Sequence, residues 1–157
     1  MGAYVIHSDY NNKCLDADLN TIGNDGTKVQ LWTCNNSSQQ TWDGYTRGND
    51  YSRTYWINAA GGRCLDADLN HIGSNGDKVQ LWTCNGSSQQ TWFPGAIQPA
   101  PGNNYVYTLQ NEAALTSNGY KCLDADLNTI GANGTKIQLW DCLTKNGSPV
   151  GNQEWVY

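Results

Sequence analysis

Three sets of side chains, each made of a carboxylate, an amide and an indole, recur along the chain at constant spacing. The first set is Asp16, Gln30 and Trp32. An ionised carboxylate accepts hydrogen bonds from hydroxyl groups, an amide can donate and accept, and an aromatic ring offers a flat apolar face to C–H groups. Together these groups can bind a sugar. The other sets are Asp66, Gln80 and Trp82, and Asp124, Gln138 and Trp140.

The segment that carries the amide and the indole alternates between apolar and polar residues, which is typical of a strand with one buried face. Val29 and Leu31 fall on one face, and Gln30 and Trp32 fall on the other. If the aliphatic pair is core, the Trp points away from it. The alternative is a Trp packed under a loop or against a neighbouring repeat. The other copies alternate in the same way, with Val79 and Leu81 in the second and Ile137 and Leu139 in the third.

A long repeat surrounds each set. The second copy, 64–92, matches the first, 14–42, at 24 of 29 positions, and the third, from Cys122, matches at 17 of its first 21. Four short strands are predicted per copy; in the first copy they span 4–7, 14–17, 28–33 and the segment around 40–42. The Asn-, Asp- and Gly-rich segment 20–26 predicts a hairpin connection between the second and third strands.

Twelve short strands in three similar copies predict a closed all-β domain, because closure removes exposed strand edges. Three copies are too few for a propeller, so a β-trefoil is expected, with three pseudo-equivalent four-stranded repeats. One domain, 1–157, is predicted, with repeats at about 1–47, 48–98 and 99–157. The Pro- and Gly-rich segment 93–102 is expected to be a loop. A five-residue insertion within 143–149 distinguishes the third copy.

The cysteines form three pairs with equal spacing, one pair in each copy. Six cysteines allow fifteen connectivities, and a bridge within each copy is the simplest that treats all copies alike. We therefore expect three disulfides and an oxidising compartment; a reduced cytosolic protein is the alternative. The pairs are Cys14 and Cys34, Cys64 and Cys84, and Cys122 and Cys142.

Composition excludes several classes of function. The net charge of -5 and scattered basic residues argue against a nucleic-acid partner, and no apolar run is long enough for membrane insertion. Seven Trp and nine Tyr against one Phe favour aromatic contact surfaces with a polar edge. The start of the sequence has no signal-peptide core.

Neither a cofactor nor a metal is expected, and neither is catalysis. The run Asp16-x-Asp18-x-Asn20 opens like a calcium loop, but Thr21 and Thr27 stand where such a loop has Gly and Glu. Asp18 is better explained as a turn residue that bonds its own backbone. The two histidines do not recur, and the cysteines lack zinc-type spacing. An Asp repeated in three equivalent places suits repeated binding better than one glycosidase active site.

The pattern Cys-Leu-Asp, Gln-Leu-Trp-x-Cys and Gln-x-Trp resembles the ricin-type β-trefoil lectins, which include carbohydrate-binding modules of secreted glycosidases. The resemblance covers nearly the whole chain. It implies that the Asp of each set bonds sugar hydroxyls, that the Trp stacks on the sugar ring, and that the Gln orients the site. The closing Gln-x-Trp motifs are 40–42, 90–92 and 153–155.

The resemblance also divides these closing motifs by role. It implies that Trp42, Trp92 and Trp155 are core residues, whereas Gln40, Gln90 and Gln153 support the sites. The family's galactose sites commonly have Asn before this Gln, which only the third copy keeps, as Asn152. The first two copies have a longer amide that could shift the preferred sugar, Gln39 and Gln89.

The expected function is therefore multivalent, non-catalytic carbohydrate binding by a secreted lectin, with up to three shallow sites for galactose-type or related glycans. The partner would be a mono-, oligo- or polysaccharide. One alternative is a xylan- or arabinan-binding module fused to an enzyme domain in a parent glycosidase. Another is a protein-binding trefoil, such as a protease inhibitor, whose loops make the contact.

Overall fold

The computed structural model describes residues 2–99, 105–145 and 148–157, without the side chains of 96–99, 105, 145, 148 and 149. These ranges contain fifteen strands and four short 3-10 helices. The strands are β1 Ala3–Tyr4, β2 His7–Ser8, β3 Cys14–Ala17, β4 Thr27–Trp32, β5 Trp42–Arg47, β6 Asp50–Asn58, β7 Cys64–Ala67, β8 Asp77–Trp82, β9 Trp92–Pro99, β10 Tyr105–Thr116, β11 Gly119–Ala125, β12 Thr135–Asp141, β13 Thr144–Lys145, β14 Ser148–Pro149 and β15 Trp155–Val156. The 3-10 helices are Ser38–Gln40, Leu69–His71, Ser88–Gln90 and Gly151–Gln153. None of the helices in the described ranges could span a membrane.

A β-hairpin forms the centre of each repeat. Strands β3 and β4 pair antiparallel, with Asp16 opposite Gln30 and Cys14 opposite Trp32. The connection ends at Gly26, whose φ of 94° lies in the left-handed region that favours glycine. Strands β7 and β8, and β11 and β12, repeat this register. The predicted hairpin connection is confirmed, and β4 begins and ends one residue earlier than expected.

The third strands of the three repeats contact one another in a ring. Strand β4 pairs with β8 at Thr27–Leu81, and β12 pairs with β4 at Thr135–Leu31. The last pairing joins β12 to β8 at Leu139–Asp77. Three hairpins joined in this way, within a thirteen-stranded sheet, form the β-trefoil predicted from the sequence.

The core lies inside this ring and is built from the alternating aliphatic residues. Leu15, Val29 and Leu31, and their counterparts in the other repeats, are fully buried. The Trp of each Gln-x-Trp motif is buried as well, and its indole N–H donates to the carbonyl of the Leu in the second strand of the repeat; Trp42 bonds Leu15 at 3.0 Å. The polar edge of this large ring is thereby satisfied inside the core.

All six cysteines are paired within their repeats, as predicted. The bridges join Cys14 to Cys34, Cys64 to Cys84 and Cys122 to Cys142, each across a sequence separation of 20. On the chain-entropy model, closing a loop of this size stabilises the fold by about 3 kcal/mol.

The predicted loop at 93–102 is wrong for the residues that the structure describes. Trp92–Pro99 is a strand that pairs with β10, with Gly95 opposite Thr108. A Cβ atom on Gly95 would lie 2.7 Å from the Thr108 hydroxyl, so this glycine permits close strand contact and does not mark a turn. Residues 100–102 lie outside the described ranges.

Two smaller differences concern the ends of the repeats. The segment around 40–42 was expected to be a strand, but Ser38–Gln40 is a 3-10 helix and β5 begins at Trp42. The helical turn buries the side chains of Gln39 and Gln40. In the third repeat, the short strands β13 and β14 pair with each other within the inserted segment.

We predict that Gly44→Ala destabilises the fold, because a Cβ atom there would lie 2.6 Å from the Trp56 ring. That ring also packs edge-on against Tyr4 and Tyr157, so it has little room to move. Overpacking of this kind costs about 1–3 kcal/mol. Urea unfolding with the disulfides intact measures the change. The matched control is Gly23→Ala, where nothing lies within 4 Å; equal stability of the two variants would contradict the prediction.

Candidate functional site

Each repeat holds a carboxylate at the floor of a surface depression. In the first repeat, Asp16 is 3% exposed and accepts hydrogen bonds from two amides. Gln30 donates to its Oδ1 at 3.0 Å, and Gln40 donates to its Oδ2 at 2.9 Å. A carboxylate has about four acceptor positions, so two remain for a ligand.

The amide of Gln40 fixes the turn beside the floor. Its Nε2 also donates to the Thr33 carbonyl at 3.0 Å, and its Oε1 accepts from the Asn35 N–H at 2.9 Å. Gln40 is fully buried. It therefore joins the carboxylate to the segment that follows Trp32, and its role is to support the site.

The indole forms an exposed wall of the depression. Trp32 is 39% exposed, whereas Gln30 is almost entirely buried. The expectation that both side chains lie on the face opposite the core is confirmed, but Gln30 is covered because it bonds Asp16. Trp32 thus presents an aromatic face beside a fixed carboxylate.

The three depressions have similar size and the same plan. Their volumes are about 330 Å³, 320 Å³ and 360 Å³ in the first, second and third repeats. Such volumes lie at the lower end of the range for small-molecule sites. Every residue of the three sequence-predicted carboxylate, amide and indole sets lines its own depression. The first depression also has Asp18, Leu19, Asn20, Asn35 and Gln39 in its lining.

Several of these additional residues were not predicted as site residues. Leu19 and Asn20 lie in the hairpin connection, where the sequence suggested only a turn. Asp18 accepts from the Asn20 N–H at 3.0 Å, which is the local bond expected for it, yet it lines the depression as well. Residues 14–20 and 64–70 are identical in sequence. Because a turn alone does not require identical residues, this identity could have indicated that Leu19 and Asn20 belong to the site.

Each site is braced by the hairpin of another repeat. The Gly134 N–H donates to the Leu31 carbonyl, and Lys28 donates to the Gly134 carbonyl at 2.6 Å. A Cβ atom on Gly134 would lie 4.0 Å from the Trp32 ring. Gly26 stands in the same relation to Trp82, and Gly76 to Trp140. The sequence gives no direct sign of these contacts between repeats.

The third site differs at the position before the supporting Gln. Asn152 donates to Asp124 Oδ2 at 3.0 Å and to the Ala125 carbonyl at 3.2 Å. Gln153 and Gln138 also donate to Asp124, so three donors occupy this carboxylate. Leu143 takes the place in the lining that an Asn has in the other two depressions. Fewer acceptor positions and a more apolar rim distinguish this site.

In the first two sites, the amide at this position is not used in the same way. Among the described residues, the Gln39 and Gln89 side chains have no hydrogen-bond partner, and both line their depressions. Instead, their backbone carbonyls accept from Asn58 and Asn111 at 2.9 Å. Their side-chain amides are therefore available to a ligand.

Burial raises the pKa of the three floor carboxyls above the usual range. Desolvation is the largest cause at Asp16, Asp66 and Asp124, and the amide hydrogen bonds oppose it. A neighbouring carboxylate, Asp18 in the first repeat, raises the pKa further. Protonation of these groups would remove acceptor positions from the floor.

A further cavity, of about 330 Å³, has a different lining. It is bordered mainly by aromatic residues, including Tyr4, Tyr51 and Trp56, and the described residues that line it include no Asp or Glu side chain. It therefore lacks the set of groups that the three repeated depressions share.

The chain belongs to the ricin-type β-trefoil lectin family. Residues 2–98 match the family's sequence profile, the ricin-type β-trefoil lectin domain. Carbohydrate binding is thus the general function that the family supports. A comparison with curated proteins finds no match.

Solved structures share the fold at low sequence identity. A designed three-fold symmetric protein, ThreeFoil, has a TM-score of 0.77 and 22% identity, covering 99% of this chain and 96% of that one. An exo-β-1,3-galactanase from Clostridium thermocellum has a TM-score of 0.75 and 22% identity, covering 98% of this chain. This chain spans only 29% of that enzyme. The Macrolepiota procera ricin B-like lectin has a TM-score of 0.70 and 15% identity, with 99% and 94% coverage.

We predict that Gln40→Ala destabilises the fold by about 2–4 kcal/mol, because it leaves the Thr33 carbonyl, the Asn35 N–H and one oxygen of Asp16 without their partner. Thermal and urea unfolding measure the loss. The control is Ser38→Ala in the same 3-10 helix, where the side chain is exposed. A Gln40→Ala protein as stable as the control would show that the amide is not a structural support.

Proposed function

We propose that this chain is a non-catalytic, multivalent lectin whose three depressions each bind one galactose-type residue of a glycan. The observation that carries the proposal is the recurrence, in three similar depressions, of a fixed carboxylate beside an indole that is exposed in the first two repeats and half-buried in the third. Sugar hydroxyls would donate to Asp16, Asp66 and Asp124. The apolar face of the ring would stack on Trp32, Trp82 and Trp140.

Galactose is the favoured sugar on two grounds. The Macrolepiota procera lectin was crystallised with lactose, and the similar module of the Clostridium thermocellum enzyme belongs to a galactanase. The stacked face of galactose has a continuous apolar patch, which suits an indole. The amides of Gln39 and Gln89 would contact a further hydroxyl, whereas Asn152 is bonded to its own carboxylate.

Repetition supports binding and not catalysis. Glycoside hydrolysis requires an acid and a second carboxylate on opposite sides of the scissile bond. The second carboxylate at each depression, Asp18 in the first repeat, is bonded to its own turn. Three disulfides in one small domain support secretion, since they persist in oxidising compartments.

Affinity for an extended glycan would come from the number of sites. A single shallow site of this kind binds at about millimolar affinity, which corresponds to about 4 kcal/mol. Three sites on one rigid body raise the affinity for a polysaccharide when the spacing allows simultaneous contact. A galactan chain or a dense cell-surface glycan is therefore the proposed natural partner.

We predict that Trp32→Ala, Trp82→Ala and Trp140→Ala each remove one site without unfolding the protein, because these rings are partly exposed and outside the core. NMR titration with lactose, followed at the tryptophan indole N–H signals, reads each site separately. Each substitution should abolish the response of its own site and leave the other two. Retention on a β-1,3-galactan resin should fall stepwise.

The matched control for these variants is Tyr51→Ala, since Tyr51 is 81% exposed and lines none of the three depressions. Full retention of sugar binding by the triple Trp variant would show that the sites are assigned wrongly. A glycan array that contains xylo- and arabino-oligosaccharides separates the galactose assignment from the xylan or arabinan alternative.

We also predict that acidification weakens lactose binding, and that the midpoint of this loss lies at a higher pH than the ordinary Asp pKa of about 3.9. The pKa of each floor carboxyl is raised in the folded state. Ionisation of these groups therefore costs stability, and that cost disappears as the pH falls through the raised pKa. Acid should thus weaken binding without unfolding caused by these groups.

This pH dependence is measured by lactose titrations between pH 7 and pH 4, with thermal unfolding recorded at each pH as the control. Binding that is constant over this range in a folded protein would contradict a role for the ionised carboxylates.

A further inference from the structure

The end of the hairpin connection differs in the second repeat. The residue that begins the strand after the connection is Thr in two repeats, Thr27 and Thr135. The hydroxyl of Thr27 donates to the carbonyls of Thr21 and Asn24, and Thr135 makes the equivalent bonds to Thr129 and Ala132. These bonds close the connection onto the strand.

Asp77 occupies this position in the second repeat, and a buried acid replaces a hydroxyl donor. It is 2% exposed, and among the residues that the structure describes neither oxygen of its carboxyl group has a hydrogen-bond partner. An ionised carboxyl cannot donate to the backbone carbonyls that the Thr hydroxyl bonds elsewhere. A protonated one can, because it carries an O–H group.

The charged groups near Asp77 come from its own connection and from the third repeat. Asp68 disfavours ionisation, whereas His71, when charged, and Lys136 favour it. Lys136 is already bonded to the Gly76 carbonyl at 2.5 Å. The nearby backbone N–H of Lys78 lowers the pKa of Asp77 less than the charged groups do. Desolvation is the largest influence, and it raises the pKa of Asp77 to about 7.

The connection that Asp77 closes also forms part of the second depression. Asp68, Leu69 and Asn70 line that depression beside Asp66 and Trp82. The Asp77 N–H donates to the Ser74 carbonyl, and the His71 N–H donates to the Asp68 carbonyl. A change at Asp77 thus reaches the rim of the site through one short segment, 68–77.

We propose that Asp77 is a positioning residue for the second site: its ionisation loosens segment 68–77 and weakens glycan binding there, while the first and third sites do not respond. This inference rests on the proposed function of the depressions as sugar sites. The residue acts through the backbone of the segment and does not contact the sugar.

Ionisation of Asp77 is expected to weaken sugar binding, whereas ionisation of the floor carboxyls strengthens it; the effect on stability has the same sign for both. The folded-state pKa of Asp77 is above its unfolded value, so ionisation destabilises the folded protein, increasingly as the pH rises from about 4 to about 7. Rising pH therefore strengthens binding at the second site through ionisation of Asp66 and weakens it through ionisation of Asp77. The other two sites should improve to a plateau.

The test uses the full chain, in which the Trp82 indole signal reads the second site separately from the other two. Lactose binding at this signal is measured from pH 5 to pH 9. We expect the affinity to fall about three- to tenfold between pH 6 and pH 9. Addition of Asp77→Thr should remove this alkaline loss. Identical pH profiles with and without Asp77→Thr would overturn the proposal.

The matched control transfers the acid to the first repeat. In the otherwise unaltered chain, Thr27→Asp should give the first site, read at the Trp32 indole signal, the alkaline loss of affinity that it otherwise lacks. If Thr27→Asp leaves a flat alkaline profile in a folded protein, an acid at this position is not the cause.

A readout without sugar separates this proposal from the lectin assignment. Amide hydrogen exchange in 68–77 should accelerate above pH 7 relative to the equivalent amides in 18–27 and 126–135 of the same molecule, and Asp77→Thr should abolish the difference. If lactose does not bind but this difference is found, the sugar assignment is wrong, and the effect of Asp77 ionisation on segment 68–77 is confirmed. If the three segments show the same pH dependence of exchange, Asp77 does not loosen its segment, and this conclusion holds whether or not lactose binds.

Discussion

A buried carboxylate in each repeat connects the fold to the site. Asp16 accepts from Gln30 on the third strand and from Gln40 on the 3-10 helix, while the adjacent Leu15 carbonyl accepts from the core residue Trp42. Two consecutive residues therefore join one strand to the rest of the repeat. The buried charge is tolerated because two amides donate to it. Removal of either amide would leave part of its desolvation penalty uncompensated.

This arrangement explains why the residues of each depression divide into supports and contacts. Gln40 is fully buried and bonds the backbone of Thr33 and Asn35, whereas Trp32 is 39% exposed. The floor carboxylate belongs to both groups. If the depressions bind sugar as proposed, a substitution at Asp16 would change folding and binding together, whereas a substitution at Trp32 would change binding with the fold intact.

Much of the fold could be predicted from the sequence, because its repetition samples each local pattern three times. The β3–β4 hairpin, the core face of Val29 and Leu31, and the disulfide pairings follow from period, turn residues and symmetry. The strand at Trp92–Pro99 was missed because glycine there relieves a clash across strands, which sequence cannot distinguish from a turn.

The composition of the depressions could be predicted only in part. Asp16, Gln30 and Trp32 were evident from their chemistry and alternation, but the covering of Gln30 depends on a hydrogen bond across two strands. The contact of Gly134 with Trp32 joins residues far apart in sequence, and the repeated glycine reads equally well as a turn residue. The burial of Asp77 could not be predicted from the sequence either, since the burial of a strand's first residue depends on the neighbouring repeat.

The bracing of each site by another repeat runs in one direction around the molecule. Gly26 bonds Leu81, Gly76 bonds Leu139, and Gly134 bonds Leu31, so the contacts close into a head-to-tail cycle. A heterologous contact that closes after three steps is the geometry of a cyclic trimer. Three identical separate chains could satisfy it, but they would carry the same residue at every equivalent position. A single chain that contains all three copies escapes this restriction, so Asp77 can stand where its counterparts are Thr, and Asn152 where they are Gln.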